Sequence, residues 1–294
     1  MRWEDFIAVD WGTTNRRAYR ITGHGNCDAE FEDDRGILAV PKGKFASAVA
    51  EIRTRLGDLP LLLAGMVGSR GGWVEAPYVP CPAGLDQVAA RLTWVEDGRT
   101  AIVPGLSIVG EDNADVMRGE EVQLFGAVAA GLVPATSFVC HPGTHNKWVS
   151  LDDGRITAFR TVMTGELFSL LRERGVLADM IGDEVSPGDA FRAGVEQGLG
   201  GGTLTAKLFT VRARILLGQR ERGDAASFTS GLLIGADVRH GLAAARGVQP
   251  IVMGRPELTR LYAAALAQAG HVAREVDGEA AFLAGAVAIA RRIE

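Results

Sequence analysis

Asp10 lies in the string Val9-Asp10-Trp11-Gly12-Thr13-Thr14-Asn15-Arg16. The string Cys140-His141-Pro142-Gly143-Thr144-His145-Asn146-Lys147 aligns with it at a constant offset of about 131 residues, near half of the 294-residue chain. Gly, Thr and Asn coincide, and Arg faces Lys. Turns of this kind present backbone N–H groups and hydroxyls, and glycine lets the backbone come close to a ligand. That chemistry suits phosphate oxygens. Gly12, Thr13, Thr14 and Asn15 in the first turn, and Gly143, Thr144, His145 and Lys147 in the second, are the expected phosphate-binding residues. Asp10, at the end of its strand, suits a hydrated Mg²⁺ held through water against those phosphates.

Such turns need strands to hold them. Phe6–Val9 and Phe138–Cys140 are apolar runs before the turns; Arg17–Ile21 and Trp148–Leu151 are strand-like runs after them. Both units read as strand, Gly-Thr turn, strand. Third strands are expected at Glu30–Arg35 and Arg155–Met163. Helical spacing covers Lys44–Leu56, and strands follow at Leu59–Ala64 and Ala101–Val103. In the second half, helices are expected at Glu166–Arg174, Asp189–Leu199, Leu204–Leu217, Phe228–Ala245, Glu257–Ala269 and Glu279–Ile293. Strands are expected at Pro250–Met253 and His271–Val276. The fold class is α/β, with a mixed sheet in each half. Two such halves form the plan of the actin-like ATPase (ribonuclease-H-like) fold, in which the turns face each other across a cleft and hold ATP. The expected domains are 1–110, with the first phosphate turn and an acceptor loop, and 111–294, the ATP-binding part. The last helix is expected to pack back on the first domain.

Phosphoryl transfer to a hydroxyl needs a base near that hydroxyl. Asp112 and Asp115 lie in Val109–Glu121, expected as a step from strand to linking helix, where Asp112 or Asn113 could instead cap the helix. Asp112, seven residues before Gly119 and eight before Glu120, resembles the Asp-x-Asn…Gly-Glu motif of repressor–ORF–kinase sugar kinases, and Asp115 falls one past its Asn position. Asp112 is the expected base. The stretch Gly65–Tyr78 has four glycines with Arg, Trp, Glu and Tyr, and reads as a substrate loop carrying Gly68, Ser69, Arg70, Trp73 and Tyr78. Its alternative is a surface loop with Trp73 tucked into the core. Arg70 could pair with a carboxylate through its planar fork.

Phe159–Glu166 offers Arg160, Thr161, Thr164 and Glu166 to the substrate or the moving phosphate; the alternative is Thr164 as a helix cap and Glu166 as a first-turn partner of the helix dipole. Val252–Glu257 is strand, glycine, helix; Gly254 and Arg255 there, with Ser230, are the expected adenosine contacts. The small residues of Ser230–Asp237 imply a close neighbour, either adenine or another helix. Gly198 to Gly202 reads as a flexible turn without chemistry.

Composition sets the outer bounds. Glycine is abundant, 38 of 294 residues, about twice the usual ~7%. Hydrophobic residues at 47% and charged residues at 23% exclude a disordered chain. A net charge of −5 without a basic run argues against nucleic acid. The uncharged stretch Val122–Asn146 contains Gln123, Pro134 and His141 and reads as buried helix, turn and buried strand rather than a membrane span. The start of the chain lacks the pattern of a signal peptide. Cys27, Cys81 and Cys140 are unpaired in spacing, which argues against disulfides and zinc and for the cytoplasm.

Six blocks resemble the 2-dehydro-3-deoxygalactonokinase family in order along nearly the whole chain: Ala8–Asn15, Ala64–Ser69, Val116–Glu121, Pro142–Val149, Phe159–Glu166 and Ser230–Gly235. Arg118, within the third block, joins the expected substrate-binding residues. The resemblance implies ATP- and Mg²⁺-dependent phosphorylation of the 6-hydroxyl of 2-dehydro-3-deoxy-D-galactonate, in galactonate catabolism. One departure is His141, where many actin-like kinases carry an Asp; the base then comes from elsewhere, which favours Asp112. The expected partners are the sugar acid and ATP, with a homodimer left open. The rival readings are a kinase for another sugar or sugar acid, a non-catalytic sensor and an assembly ATPase. The sensor would need a DNA-binding segment for which the chain leaves no evident room.

Overall fold

The computed structural model describes residues 3–110, 113–182, 184–245 and 247–293. The chain divides into two compact units. The first comprises Met1–Thr136, Leu151–Phe159 and Gly278–Glu294; the second comprises Ser137–Ser150 and Arg160–Asp277.

The first unit starts with β1 (Phe6–Trp11), β2 (Arg16–Ile21) and β3 (Cys27–Asp33), then α1 (Phe45–Leu56) and β4 (Leu61–Gly65). It continues with β5 (Val79–Pro80), α2 (Leu85–Ala89), β6 (Thr93–Glu96), β7 (Thr100–Ile102), β8 (Leu106–Ile108), β9 (Asp115–Met117) and α3 (Glu120–Ala129). A six-stranded sheet runs β3-β2-β1-β4-β7-β6. β1 pairs antiparallel with β2 and parallel with β4. β4 reads Leu-Leu-Leu-Ala-Gly because, parallel to both neighbours, it is buried on both faces. β3, at the edge, alternates half-buried and exposed residues. α1 buries Phe45, Ala48, Val49, Ile52 and Leu56, the helical stripe seen in the sequence.

After α3 the chain continues with β10 (Ser137–His141), β11 (Asn146–Asp152), β12 (Arg155–Val162), α4 (Thr164–Glu173), α5 (Asp189–Leu199), α6 (Leu204–Leu216) and α7 (Ala225–Ala244). Then come β13 (Pro250–Gly254), α8 (Pro256–Gln268) and β14 (Arg274–Asp277). The last helix, α9 (Gly278–Ala290), belongs to the first unit. The second sheet runs β12-β11-β10-β13-β14. Its order, third-second-first-fourth-fifth, repeats β3-β2-β1-β4-β7 of the first sheet. The repeat inferred from eight residues therefore extends to topology.

Three sequence expectations are corrected. Val109–Glu121 does not step directly from strand to helix: β9 lies within it and joins β5 and β8 in a separate three-stranded sheet. Helix α3 starts only at Glu120, with Gly119 as its cap, so Asn113 caps no helix. β9, Asp-Val-Met, has no apolar run to mark it as a strand in the sequence. The run Gly198 to Gly202 is not wholly a turn, because Gly198 is inside α5. A Cβ there would lie 2.5 Å from the backbone N of Ala236 on α7, so the glycine is a packing residue.

The open alternative at Ser230–Asp237 is also answered. α7 is buried along most of its length. A Cβ on Gly231 would lie 2.1 Å from the Phe191 carbonyl oxygen, and one on Gly235 2.4 Å from that of Val195. The small face is therefore occupied by α5. Among the described residues no helix is long and apolar enough to cross a membrane; 122–146 resolves into the body of α3, a connection and β10.

Candidate functional site

The first turn links β1 and β2, and Thr13, Thr14 and Asn15 are exposed there. It is closed by the Gly12 N–H donating to the Asn15 carbonyl at 2.9 Å. The segment after β3 lies behind it. The amides of Gly36, Ile37 and Leu38 donate to the carbonyls of Thr14, Gly12 and Thr13 at 2.9, 3.0 and 3.2 Å. Three consecutive carbonyls are thus engaged from one side. The Trp11 indole N–H fixes the same segment through the Arg35 carbonyl, at 3.0 Å. Arg16, next after the turn, is 1% exposed and forks onto Asp33 at the end of β3, at 2.6 and 3.2 Å. Such a bidentate pair fixes orientation as well as distance.

The second turn repeats this with different residues. Gly143 and Thr144 lie between β10 and β11, and Gly165 at the start of α4 backs them: a Cβ on Gly165 would lie 2.5 Å from the Gly143 carbonyl oxygen. The Glu166 N–H donates to the Thr144 carbonyl at 2.9 Å. His145 Nε2 and Glu166 Oε2 are 2.6 Å apart, both partly exposed, so a residue expected to bind phosphate touches one expected to bind substrate. Lys147 is not in the open turn. It lies in β11 and is 3% exposed. His141 is likewise buried.

Asp10 sits beside the first turn, on β1 opposite Arg17 of β2. Arg17 Nη2 donates to Asp10 Oδ2 at 3.3 Å, and Arg17 Nη1 lies 3.5 Å from Glu279 Oε2 on α9. The Asp10 side chain keeps 21% of its exposure. Among the described residues there is no group of three or more His, Cys, Asp or Glu suited to caging a metal. A carboxylate that keeps part of its exposure next to a turn fits Mg²⁺ that keeps its waters and arrives with a phosphate ligand.

The loop after β4 is built by both core and surface. Trp73 is half-buried and stacks on Phe45 at 6.4 Å, so it packs on the core of the unit. Arg70 is exposed at the turn, and the Ser69 hydroxyl donates to the Met66 carbonyl at 2.7 Å. Arg118, between β9 and α3, reaches back to this loop. Its Nη2 donates to the Ala76 carbonyl at 2.7 Å and its guanidinium lies 4.3 Å from the centre of the Tyr78 ring. It is 9% exposed, and its Nε and Nη1 carry no hydrogen bond. Arg118 therefore shapes the loop from beneath. Glu121, on α3, is fully buried; its Oε2 accepts from the Gly119 N–H at 2.7 Å. Burial, followed by the charge of Glu120, pushes its carboxyl up to about 8.

Asp112 lies outside the described residues. Asp115 is on β9, where its carboxylate accepts from the Val116 N–H at 2.8 Å. Arg160 and Thr161 are half-buried on β12. Thr164 is not a cap, because it lies inside α4 after Met163. It is buried, and its hydroxyl donates to Asp237 at 2.5 Å. Gly254 ends β13, Arg255 precedes α8, and Ser230 is buried in α7.

Sequence reasoning missed Gly36, Asp33 and Asp237. Gly36 had a signal, since it follows the third strand of its half as Gly165 does. Asp237 had one too, as a carboxylate in an otherwise small and apolar helical run.

A family model described as 2-keto-3-deoxy-galactonokinase matches residues 10–289. The chain is 40% identical over 292 residues to 2-dehydro-3-deoxygalactonokinase of Escherichia coli K12, covering 98% of both chains. It superposes with a TM-score of 0.92 on the crystal structure of a provisionally named 2-dehydro-3-deoxygalactonokinase from Sinorhizobium meliloti, at 37% identity over 98% of this chain and 99% of that one. It also resembles component A of (R)-2-hydroxyglutaryl-CoA dehydratase from Acidaminococcus fermentans, with a TM-score of 0.51 at 12% identity over 97% of this chain and 96% of that one. That likeness is one of fold, the duplicated α/β fold of actin-like ATPases.

Proposed function

The chain belongs to the 2-keto-3-deoxy-galactonokinase family, and on that footing we propose that it transfers the γ-phosphoryl group of ATP to the 6-hydroxyl of 2-dehydro-3-deoxy-D-galactonate, giving the 6-phosphate and ADP in galactonate catabolism. Its class is that of a sugar-acid kinase. The observation that carries the reading is the backing of both Gly-Thr turns. Amides of the segment after the third strand take three carbonyls of the first turn and the Thr144 carbonyl of the second, so each turn is held from behind in one conformation, the kind of fixed turn whose N–H groups and hydroxyls bind anionic oxygen.

In this reading Gly12–Asn15 and Gly143–His145 bind nucleotide phosphates. Gly254, Arg255 and Ser230 serve the adenosine. Asp10 would hold Mg²⁺ through water, and the ion would supply charge neutralisation at the phosphates. Arg70 or Arg160 grips the carboxylate of the acceptor, and Gly68, Ser69, Tyr78, Thr161 and Glu166 orient its hydroxyls. Asp112 accepts the proton of the 6-hydroxyl as that oxygen bonds to the γ-phosphorus and the bond to the β-phosphate oxygen breaks. His141 stands where many actin-like kinases carry an Asp and supplies no carboxylate, which leaves the proton to the first unit's acidic residues.

The test is ADP release from MgATP with a panel of 2-keto-3-deoxy acids, and phosphorus NMR of the product. Turnover is expected with 2-dehydro-3-deoxy-D-galactonate, with the new ester at carbon 6. ATP consumption with none of the acids would overturn the reading, and a preference for another acid would change the substrate.

A further inference from the structure

Resting on the kinase reading, we propose that Asp237, a buried carboxylate on α7, is the positioning residue that sets the second phosphate turn. It is 2% exposed and receives four side-chain donors. Asn146 Nδ2 lies 3.1 and 3.0 Å from its two oxygens, Trp148 Nε1 donates at 2.7 Å, the Thr164 hydroxyl at 2.5 Å and the Tyr262 hydroxyl at 2.6 Å. These donors come from β11, α4 and α8. A carboxylate accepts in several directions at once, so one residue can fix the relative places of three elements.

The choice of donors is what connects Asp237 to the turn. Asn146 follows His145 directly, and so ends the turn. Thr164 precedes Gly165 directly, and Gly165 is the residue whose Cα abuts Gly143 and Thr144. The Glu166 N–H, one residue further on, holds the Thr144 carbonyl at 2.9 Å. The turn and the segment behind it are therefore pinned to the same carboxylate from both sides. In the first unit the equivalent tie is Arg16, next after its turn, forked onto Asp33 at the end of the third strand. The two halves keep the same mechanical device and build it from different residues.

All four donors are neutral, and they offer no cation to replace if the carboxylate is lost. Asp237→Asn keeps the volume but offers one acceptor oxygen where two served, so at least one donor must re-pair or stay unpaired. A shift of the turn by a fraction of an ångström would be felt most by the phosphates that it holds, and less by the acceptor.

The experiment measures nucleotide affinity directly, by calorimetry with ADP and with the non-hydrolysable analogue AMPPNP in Mg²⁺, and then KM for ATP and for the acceptor. Wild-type protein that binds neither nucleotide would overturn the kinase reading itself. Given wild-type binding, Asp237→Asn and Thr164→Val are each expected to weaken nucleotide affinity and raise the ATP KM by about tenfold, one lost buried hydrogen bond's worth. The acceptor KM should rise several-fold less than the ATP KM, and Thr164→Ser, which keeps the hydroxyl, should restore the affinity. A core variant matched for lost thermal stability, Phe191→Leu, controls for general loosening. Unchanged nucleotide affinity in Thr164→Val, or an equal loss in Phe191→Leu, would overturn the assignment, and Thr164→Val decides the matter if Asp237→Asn does not fold.

Discussion

The amide of Gly36 donates to the carbonyl of Thr14 at 2.9 Å. The same glycine lies so close to the turn that a Cβ on it would sit 2.3 Å from the Thr13 carbonyl oxygen. Gly36→Ala must push the 36–38 segment away from the turn, and overpacking of this kind costs about 1–3 kcal/mol. The expected outcome is a rise of about tenfold or more in the KM for ATP, with a smaller change in the acceptor KM. Gly165→Ala, its counterpart behind the second turn, should do the same. Steady-state kinetics with each substrate varied would check both, and an alanine variant with wild-type ATP kinetics would refute the backing role.

If Asp112 is the base, Asp112→Asn lowers kcat by about 10²–10⁴-fold with little change in ATP affinity. Asp115→Asn, on β9, should lose far less. Near wild-type turnover in Asp112→Asn would move the role to Asp115 or away from both.

Glu121 holds its proton up to about pH 8, against an ordinary value of 4.5. Between those values the folded chain keeps a proton that the unfolded chain releases, so this group's contribution to stability is full below about 4.5 and is lost as pH rises towards 8. Glu121→Gln keeps the acceptor oxygen for the Gly119 N–H and removes the titration. The Tm of the variant relative to wild type should climb from pH 5 to pH 8 and level off above it. A constant difference over that range would show that Glu121 titrates normally.

An arginine that grips the acceptor's carboxylate through its fork is poorly replaced by lysine. Of Arg70→Lys and Arg160→Lys, one should raise the acceptor KM by about tenfold or more while leaving ATP unaffected. Equal, small effects in both would exclude the two as clamps and turn attention to Arg118.

Asp10 and Arg17 face each other across β1 and β2. If Asp10 holds Mg²⁺ by water alone, Asp10→Asn should raise the Mg²⁺ concentration needed for half-maximal rate by about tenfold and leave the fold intact. Unchanged Mg²⁺ dependence would remove Asp10 from the metal site.

Much of the scaffold was legible because its elements are long and strongly patterned. The stripe Phe45, Val49, Ile52, Leu56 marks α1, and the unbroken Leu61–Gly65 run marks a strand buried on both faces. The repeat at Gly12 and Gly143 was visible because phosphate-type turns need glycine at fixed places in the chain. β5, β8 and β9 were illegible, since these two- and three-residue strands lack the fully buried apolar run that marks the equally short β7, and they form only when tertiary neighbours supply their partners.

By itself, then, the sequence determined the α/β class, the duplication, the family and the two Gly-Thr turns, because each is a local pattern of residue types. Only the tertiary structure decided what stands behind those turns. Gly36 meets Thr13 and Asp237 meets Thr164 across 23 and 73 positions of chain, distances over which no local pattern speaks. It decided also that the small face of α7 receives α5, and that Lys147 and Thr164 turn inward. The physical reason is common to all of these. A backbone contact or a buried hydrogen bond depends on which surfaces come together, and that is fixed by packing after the local elements have formed.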